Sequence, residues 1–328
     1  MKLQKLHIKN FKSIVDLEIV EPNPFTVFVG PNGSGKSNIF EALEFWSFHL
    51  LSPYVKEMVP LFRGAESIIN RLKGDLETEL RIDLINFPNT INKVGFDIQN
   101  GHHKFRTLHL EGIPIEETSL REFYKNYSRI FIKNKEVEKI ELRDNTKLSL
   151  SASNLEKVLK RILQDEIKRE EIKEWLDLFI PGFENIEIVS SELSGTDTLV
   201  MYEKGIKKPF TKDLLSDGTY NILALLTAVY QSDEPQFLCI EEPENGLHPK
   251  VIKELVHFFR DACQEKGHYI WLNTHSQTLV AQLQPEEIIL VNKKQGETIT
   301  KQLKNHNLHG LRMDEAWLTA ALGGGLPW

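Results

Sequence analysis

The first fifty residues alternate between apolar and polar positions and then change to a helical spacing. Apolar side chains at alternating positions in residues 3–19 predict two strands that form a hairpin. The segment PFTVFVG, residues 24–30, is short, β-branched and aromatic, which predicts a strand buried on both faces. SNIFEALEFWSFHLL, residues 37–51, has apolar residues at helical spacing. A glycine-rich loop therefore lies between a buried strand and a helix.

The middle of the chain, residues 66–205, has a different pattern. LETELRIDLIN and KVGFDIQN alternate with period two on either side of the turn-forming NFPNTIN. The segment 154–180 has helical periodicity over its whole length and stops at Pro181-Gly182, so it predicts one long helix. These patterns predict an inserted lobe of β-strands and a long helix.

Strands and helices alternate again after residue 205. PQFLCIEEP and HYIWLNTHS predict buried strands, PKVIKELVHFFRDACQEKG predicts an amphipathic helix, and EEIILVNKKQGETITKQL predicts a β-hairpin. The chain is therefore predicted to be an α/β protein with a mixed sheet and flanking helices, split by the inserted lobe. The predicted parts are residues 1–65 and 206–300 as two halves of one domain, 66–205 as the lobe, and 301–328 as a C-terminal tail.

Composition narrows the possible partners and the compartment. The chain has 328 residues, 41% of them hydrophobic, and a net charge of −7, which argues against a globally basic nucleic-acid binder. No signal peptide and no apolar run of membrane-spanning length stands out, so we expect a cytoplasmic protein without membrane contact. Cys239 and Cys263 lie in apolar segments and are predicted to be reduced thiols in or near the core.

The segment 124–139 is the best candidate for a local basic surface. Its cations stand among aromatic residues, as they do on many nucleic-acid-binding surfaces. The alternative is a solvated strand or helix face, and the sequence leaves both open. The cations concerned are Lys125, Arg129, Lys133 and Lys135.

The segment GPNGSGKS fits the phosphate-binding pattern G-x-x-x-x-G-K-[ST] at every fixed position, between a predicted strand and a predicted helix. Glycines let the backbone wrap around phosphates, so that successive N–H groups and the helix N-terminus point at negative charge. Lys36 is expected to neutralise the β- and γ-phosphates, and the Ser37 hydroxyl to ligate Mg²⁺. The predicted nucleotide-binding residues of this phosphate loop are Gly30, Pro31, Asn32, Gly33, Ser34, Gly35, Lys36 and Ser37.

FLCIEEPENGLHP places two adjacent carboxylates at the end of a predicted apolar strand. Ligands bind α/β sheets at the carboxyl ends of their strands, so we expect these carboxylates beside the phosphate loop. Glu241 is expected to hold Mg²⁺, directly or through water, and Glu242 to orient or deprotonate the attacking water as general base. His275, at the end of the next strand, is expected to hydrogen-bond the γ-phosphate, with a structural histidine as the alternative.

The segment LLSDGTYNILALL, residues 214–226, starts a second helix with small residues. One interpretation is an ordinary N-cap, in which Ser216 or Asp217 satisfies free N–H groups. The other is an anion-binding helix N-terminus, in which Ser216, Gly218 and the backbone amides contact a phosphate. A chain that already has a phosphate loop has no need of a second one for the same nucleotide.

Four segments, GPNGSGKSN, LSDGT, IEEPENGLHP and NTHS, follow one another along the chain and together resemble ABC-type ATPases of the SMC/RecF/OLD group. The opening LQKLHIKNFKSIVDLEI resembles the same group, whereas the middle lobe lies outside the resemblance. The tail MDEAWLTAALGGGLPW resembles the C-termini of short stand-alone relatives, without a TOPRIM domain, from bacterial phage-defence operons. The resemblance implies a P-loop NTPase fold of the ABC-ATPase type.

The resemblance also implies that ATP sites form between two copies of the chain, in a head-to-tail dimer that depends on ATP. Ser216, Asp217 and Gly218 would then be the signature motif and contact the γ-phosphate held by the partner copy. Asp217 stands where transporter subunits have glycine, as in OLD-like relatives. The loop that carries Asn245 and His248 would lie at the dimer interface.

Further residues are implied at the nucleotide end of the site. Lys12 and Ser13, in NFKS, match a basic residue and a serine that reach the bound nucleotide in this group. Asn38 extends the phosphate loop and would also bind the nucleotide. The glutamine loop of the group has no clear counterpart, and Glu66 or Asn70 are the candidates to replace it in the Mg²⁺ shell.

The sequence thus predicts a Mg²⁺-dependent ATPase whose dimer is coupled to DNA or to a separate effector protein, in anti-phage defence or DNA maintenance. An alternative is a nucleotide-gated scaffold or sensor with little turnover that holds a nuclease or toxin. An ABC transporter subunit is less favoured because Lys36 and Ser216 are much farther apart than in those subunits.

Overall fold

In the computed structural model, strands form three sheets against which the helices pack. Most of the basic segment after residue 132 and the end of the C-terminal tail lie outside the described residues. The structure describes residues 2–51, 59–72, 77–84, 87–99, 102–111, 125–132, 139, 145–190, 196–304, 306, 308 and 310–319.

The regular elements are numbered in chain order. The strands are β1 (Leu3–Phe11), β2 (Ile14–Val20), β3 (Phe25–Val29), β4 (Glu77–Leu84), β5 (Phe87–Gln99), β6 (His102–Glu111), β7 (Tyr127–Ile130), β8 (Phe183–Ser190), β9 (Asp197–Glu203), β10 (Phe210–Thr211), β11 (Phe237–Glu241), β12 (Tyr269–Thr274), β13 (Ile288–Lys294) and β14 (Glu297–Gln302). The helices are α1 (Lys36–Leu51), α2 (Leu155–Ile162), α3 (Glu166–Phe179), α4 (Asp217–Tyr230), α5 (Pro249–Glu265), α6 (Gln277–Val280) and α7 (Met313–Leu318).

The central sheet has six strands in the order β14-β13-β3-β12-β11-β7. Neighbours from β13 to β7 are parallel, and only β14 is antiparallel to its neighbour, as the predicted hairpin requires. The prediction of an α/β protein with a mixed sheet is confirmed. Because β3, β11 and β12 are parallel neighbours, their carboxyl ends meet at one edge of the sheet.

Side chains of the central strands alternate between two apolar cores. In β11, Phe237 and Cys239 face the core that contains α1, β1 and β2, whereas Leu238 and Ile240 face the core that contains α2, α4 and α5. The central sheet is therefore covered on both faces, which explains why its strands are continuous apolar runs. Both cysteines are buried and free, as predicted.

A five-stranded antiparallel sheet, in the order β2-β1-β4-β5-β6, covers the α1 face. The predicted hairpin of β1 and β2 is confirmed, and strands from the middle of the chain extend it. The same middle segment, residues 66–205, also supplies β7 to the central sheet, and β8 and β9 to a small sheet that β10 completes. It therefore contributes to all three sheets. The division of the chain at residues 65, 205 and 300 stays a prediction.

The prediction of one long helix over 154–180 is wrong, because the segment forms two helices. The first ends at Ile162, and the second begins after Asp165, whose carboxylate accepts hydrogen bonds from the backbone N–H groups of Ile167 and Lys168. Asp165 is an N-cap, which starts a new helix inside an apolar pattern that continues across the break. Within the described ranges, none of the helices combines the length and the apolar character needed to cross a membrane.

Candidate nucleotide site

The phosphate loop connects the end of β3 to the start of α1, and close packing requires two of its glycines. A Cβ atom on Gly30 would lie 2.0 Å from the carbonyl oxygen of Val291. Gly35 has a φ of 101°, and a Cβ atom there would lie 2.0 Å from the hydroxyl of Thr298. Only glycine fits these positions without displacing the hairpin of β13 and β14. The predicted strand–loop–helix arrangement is confirmed.

Lys36 reaches back over the loop in which it stands. Its Nζ donates hydrogen bonds to the carbonyl oxygens of Gly30 and Pro31, at 2.7 and 3.0 Å. Burial lowers the pKa of Lys36, and the carboxylates of Glu242, Glu244 and Glu241 act against this shift. Lys36 is therefore held at the mouth of the loop within the electrostatic reach of all three acids.

The Ser37 hydroxyl and the Glu241 carboxylate lie side by side, as expected of two ligands of one metal ion. Ser37 Oγ donates to Glu241 Oε2 at 2.5 Å, and Asn273 Nδ2 lies 3.4 Å from Ser37 Oγ. Ser34 Oγ, inside the loop, is buried and has no hydrogen-bond partner among the residues that the structure describes. The pair of Ser37 and Glu241 fits Mg²⁺, which is typically held by few carboxylates together with substrate phosphates. The buried hydroxyl of Ser34 is a donor that fits a phosphate oxygen.

Glu242 has a strained backbone and a carboxylate held on both sides. Its φ is 47°, and its backbone N–H donates to Asn273, to the carbonyl oxygen at 3.1 Å and to the side-chain oxygen at 3.2 Å. Asn245 Nδ2 donates to Glu242 Oε2 at 3.0 Å, and His275 Nδ1 lies 3.4 Å from Glu242 Oε1. A left-handed conformation at a non-glycine residue is uncommon, and such strain concentrates at functional sites.

A second acid of this loop, two residues after Glu242, was missed by the sequence reasoning. Glu244 is buried and accepts a hydrogen bond from the hydroxyl of Thr274. Burial raises the pKa of Glu244, partly offset by the bond from Thr274. The third carboxylate in EEPE gave no separate signal, because its burial depends on how the loop folds back onto β12.

Ser13 connects three parts of the chain at the nucleotide end of the site. Its hydroxyl lies 2.6 Å from Asn38 Nδ2 and 2.6 Å from Thr298 Oγ1. Thr298 Oγ1 also donates to the carbonyl oxygen of Ser34 at 2.9 Å. The turn between β1 and β2 therefore lies against the phosphate loop. Ser13 and Asn38, two of the predicted nucleotide-binding residues, contact each other directly there.

Lys12 lies beside a cavity of about 390 Å³ that opens next to Ser13. Arg63, Glu66, Asn70 and Arg71 also line this cavity, and neither arginine was singled out by the sequence. Asn70 donates to the carbonyl oxygen of Lys12 at 2.7 Å, so it holds the turn between β1 and β2. Glu66 and Asn70 thus stand at the Lys12 end of the site, and their role in a Mg²⁺ shell stays a prediction.

The predicted signature segment starts α4 in an exposed position. Ser216 is the N-cap of this helix and accepts a hydrogen bond from the backbone N–H of Thr219 at 3.1 Å. Ser216 and Asp217 are exposed, whereas Gly218 packs so closely that a Cβ atom would lie 2.5 Å from the carbonyl oxygen of Gly246. The N-cap interpretation is confirmed, and a contact with a second copy stays a prediction.

Asn221 joins the same helix to the loop after β11. Its Nδ2 donates to the carbonyl oxygens of Pro243 and Asn245, at 2.9 and 2.8 Å. His248 ends this loop as the N-cap of α5, and its ring nitrogen accepts from the N–H of Lys250 at 3.2 Å. The exposed side chains of Asn245 and His248 therefore stand on a loop that α4 holds in place.

Arg129 corrects the interpretation of the basic segment. It is 7% exposed and lies in β7, with its guanidinium against the carboxylates of Glu44 and Glu241. It therefore belongs neither to a basic surface nor to a solvated face. Lys125 is exposed, and Lys133 and Lys135 lie outside the described residues.

Comparison with known proteins finds relatives in the same group of proteins that the sequence motifs resemble. Residues 25–281 match the family described as "AAA domain, putative AbiEii toxin, Type IV TA system". Structural maintenance of chromosomes protein 1 of Schizosaccharomyces pombe is 34% identical over 108 residues, 31% of this chain and 8% of that protein. DNA replication and repair protein RecF of Corynebacterium jeikeium is 39% identical over 70 residues, 21% of this chain and 16% of that protein. The chain thus spans only a small part of these relatives.

The fold agrees over nearly the whole chain. The crystal structure of an Smc head bound to the C-winged helix domain of ScpA matches with a TM-score of 0.63 at 16% identity, over 94% of this chain and 100% of that one. At this identity the match shows the fold alone, and the family match over most of the chain adds the membership. The predicted resemblance is confirmed: the chain belongs to the family described as AAA domain, putative AbiEii toxin, Type IV TA system, within the SMC/RecF-like ABC-type ATPases.

Proposed function

We propose that this protein is a Mg²⁺-dependent ATPase in which Glu242 is the general base. The observation that carries the proposal is the placement of this carboxylate between His275 and Asn245, one residue after the acid that contacts Ser37. Membership of an ATPase family supports ATP binding and is consistent with hydrolysis. The cavity beside Lys12 and Ser13 offers room for the part of the nucleotide that projects from the phosphate loop.

The residues of the site divide the work of phosphoryl transfer among them. Backbone N–H groups of the loop and Lys36 bind the phosphates, and Lys36 exchanges its two carbonyl contacts for phosphate oxygens. Ser37 and Glu241 would hold Mg²⁺, which neutralises charge on the β- and γ-phosphates. Glu242 orients the attacking water and accepts its proton. His275 restrains the Glu242 carboxylate and is exposed enough to contact the γ-phosphate.

The test of hydrolysis is phosphate release with MgATP. For Glu242→Gln we expect kcat to fall about 10²- to 10⁴-fold, the usual contribution of a general base, with nucleotide affinity retained. The matched control is Glu265→Gln, which alters an exposed glutamate near the end of α5 and should leave turnover unchanged. Wild-type turnover in Glu242→Gln would contradict the assignment, and no turnover in the wild-type protein would favour a nucleotide-gated scaffold.

We further propose that the complete site forms between two copies, in a head-to-tail dimer. The exposure of Ser216 and Asp217 at the start of α4 supports this, because a helix N-terminus with a free approach can bind a phosphate held by a partner. The loop that carries Asn245 and His248 is exposed next to this N-terminus and would lie in the same interface. Closing and opening of the pair would then follow binding and hydrolysis of ATP.

We propose that the ATP cycle is coupled to a separate effector protein, with DNA as the alternative partner. A protein partner is supported by the Smc head structure, which holds a domain of ScpA, and by the toxin–antitoxin description of the family. The net charge of −7 disfavours DNA. Turnover measured with and without DNA decides between them: strong stimulation by DNA would refute the effector proposal and indicate DNA maintenance instead of anti-phage defence.

A further inference from the structure

A row of charged side chains runs beside α1, from the turn between β1 and β2 to the end of β11; it is half-buried at the first end and buried at the second. Its first half joins Lys12 Nζ to Glu41 Oε2 at 2.5 Å, and Lys139 Nζ to Glu41 Oε1 at 3.1 Å and to Glu44 Oε2 at 2.5 Å. Burial raises the pKa of Glu41, but Lys139, Lys12 and Arg129 outweigh this effect and hold it at about 2. The row alternates in sign and consists of Lys12, Glu41, Lys139, Glu44, Arg129 and Glu241.

Arg129 is the cation next to Glu241, the metal ligand of the proposed function. Its Nε donates to Glu241 Oε1 at 2.6 Å, and a second guanidinium nitrogen contacts the same oxygen. The third nitrogen donates to Glu44 Oε2 at 2.7 Å. The side chains of Arg129, Glu44 and Glu241 are 5%, 5% and 2% exposed, so the guanidinium bridges two carboxylates in a dry environment.

This bridge gives the two oxygens of Glu241 different partners. Oε1 is bound by Arg129, and Oε2 accepts the hydrogen bond from Ser37 Oγ at 2.5 Å. Rotation of the carboxylate would break both contacts, so the oxygen that faces Ser37 is fixed before any ligand arrives. A lysine could supply the same charge, but the planar fork of arginine can bind two carboxylates at a fixed angle.

We propose that Arg129 is a positioning residue that orients the Glu241 carboxylate toward Ser37 for Mg²⁺ binding, with Glu44 fixing the guanidinium on its other side. This inference rests on the proposed function, because it assigns Ser37 and Glu241 to the metal. Partners that orient metal ligands in this way contribute strongly to metal affinity, and their loss typically weakens it about 10- to 100-fold.

The test is Arg129→Lys in the full chain, which keeps the charge and removes the fork. Mn²⁺ is titrated into protein saturated with ADP, and free Mn²⁺ is followed by its paramagnetic resonance signal. We expect the Mn²⁺ dissociation constant to rise about 10- to 100-fold. The affinity for ADP in the presence of EDTA should stay at the wild-type value, a result that general damage to the site would not give.

Arg260→Lys is the matched control. Arg260 forms two hydrogen bonds with the carboxylate of Glu287, at 2.6 and 2.7 Å, on the opposite core, so the variant loses a comparable fork and should keep wild-type Mn²⁺ affinity. If Arg129→Lys is unstable, Arg129→Gln combined with Glu44→Gln removes one charge of each sign, and the same loss of Mn²⁺ affinity is expected.

Two results would overturn the inference. One is wild-type Mn²⁺ affinity in these variants, and the other is an equal loss of metal-free ADP affinity, which would make Arg129 a merely structural residue. Failure of the proposed metal site has a different signature, because the wild-type protein itself would then not bind Mn²⁺ with ADP. Failure of hydrolysis alone would appear as absent turnover in a wild-type protein that still binds both.

Discussion

Gly33 and Gly35 lie in the same loop with positive φ values of 78° and 101°, but only Gly35 is tightly packed. A Cβ atom on Gly35 would lie 2.0 Å from Thr298 Oγ1 and 2.8 Å from Ser13 Oγ, whereas no atom of the described residues lies within 4 Å of one on Gly33. Alanine at either position incurs backbone strain of about 1–3 kcal/mol. Only Gly35→Ala adds overpacking, which costs about 1–3 kcal/mol more.

The assay is the thermal midpoint of unfolding of the two alanine variants. We expect Gly35→Ala to unfold about 1.5 °C or more below Gly33→Ala, since an unfolding entropy of about 2.1 cal/mol/K per residue makes 1 kcal/mol worth about 1.5 °C in a chain of 328 residues. Thr298→Ala removes the hydroxyl that the new methyl group meets, so the combination of Gly35→Ala with Thr298→Ala should recover part of the loss. Equal midpoints for the two glycine variants, or strictly additive effects in the combination, would refute the packing argument.

Three further predictions concern buried polar groups. Asn221→Leu leaves two carbonyl oxygens of the loop 243–245 without their donor. We therefore expect the free energy of unfolding, measured in urea, to fall by about 1–3 kcal/mol. An unchanged value would show that the loop does not depend on α4. Burial lowers the pKa of His268 from 6.5 to about 4, so the fold prefers the neutral ring. The stability that the neutral His268 ring contributes is complete above pH 6.5 and is lost as the pH falls toward 4. Over this range the thermal midpoint of the wild-type protein should therefore fall more than that of His268→Gln. Burial raises the pKa of Cys239 and Cys263, so both thiols should react with a disulfide reagent at pH 8 much more slowly in the native than in the urea-unfolded protein; equal rates would contradict their burial.

The convergence of the phosphate loop with the two acids at the end of β11 could be predicted from the sequence. Gly-rich and acidic segments each followed an apolar strand, and parallel strands bring such ends to one edge of a sheet. The contact of Ser37 with Glu241 follows from that rule, although 204 positions separate the two residues. Local strand and helix patterns were sufficient here because each motif stands at the end of its own element.

The position of Arg129 could not be predicted in the same way. A short strand with an arginine among aromatic residues has the composition of a surface, and nothing local indicates that it pairs with β11. Its burial depends on two acceptors, Glu44 on α1 and Glu241, the second of which lies 112 positions away. A buried arginine is stable only with such partners, so its role appears only when the strand order is known.

Two other features depend on tertiary context. The periodicity of residues 154–180 continues across the break at Asp165, so a pattern of apolar positions alone cannot separate one helix from two. The close approach of Gly218 to Gly246 joins two segments that looked independent in the sequence. In both cases the deciding interaction is a cap or a backbone contact, which side-chain periodicity does not report.

The central claim is that two copies of the chain complete each ATP site, and the most direct measurement is the molar mass of Glu242→Gln in solution. Light scattering after size exclusion, with saturating MgATP, should give the mass of two chains, because in the proposed cycle ATP that is bound but not hydrolysed would keep the pair closed. Without nucleotide, or with Ser216→Arg added, the same protein should have the mass of one chain. A single-chain mass of Glu242→Gln with MgATP shown to be bound would contradict the account.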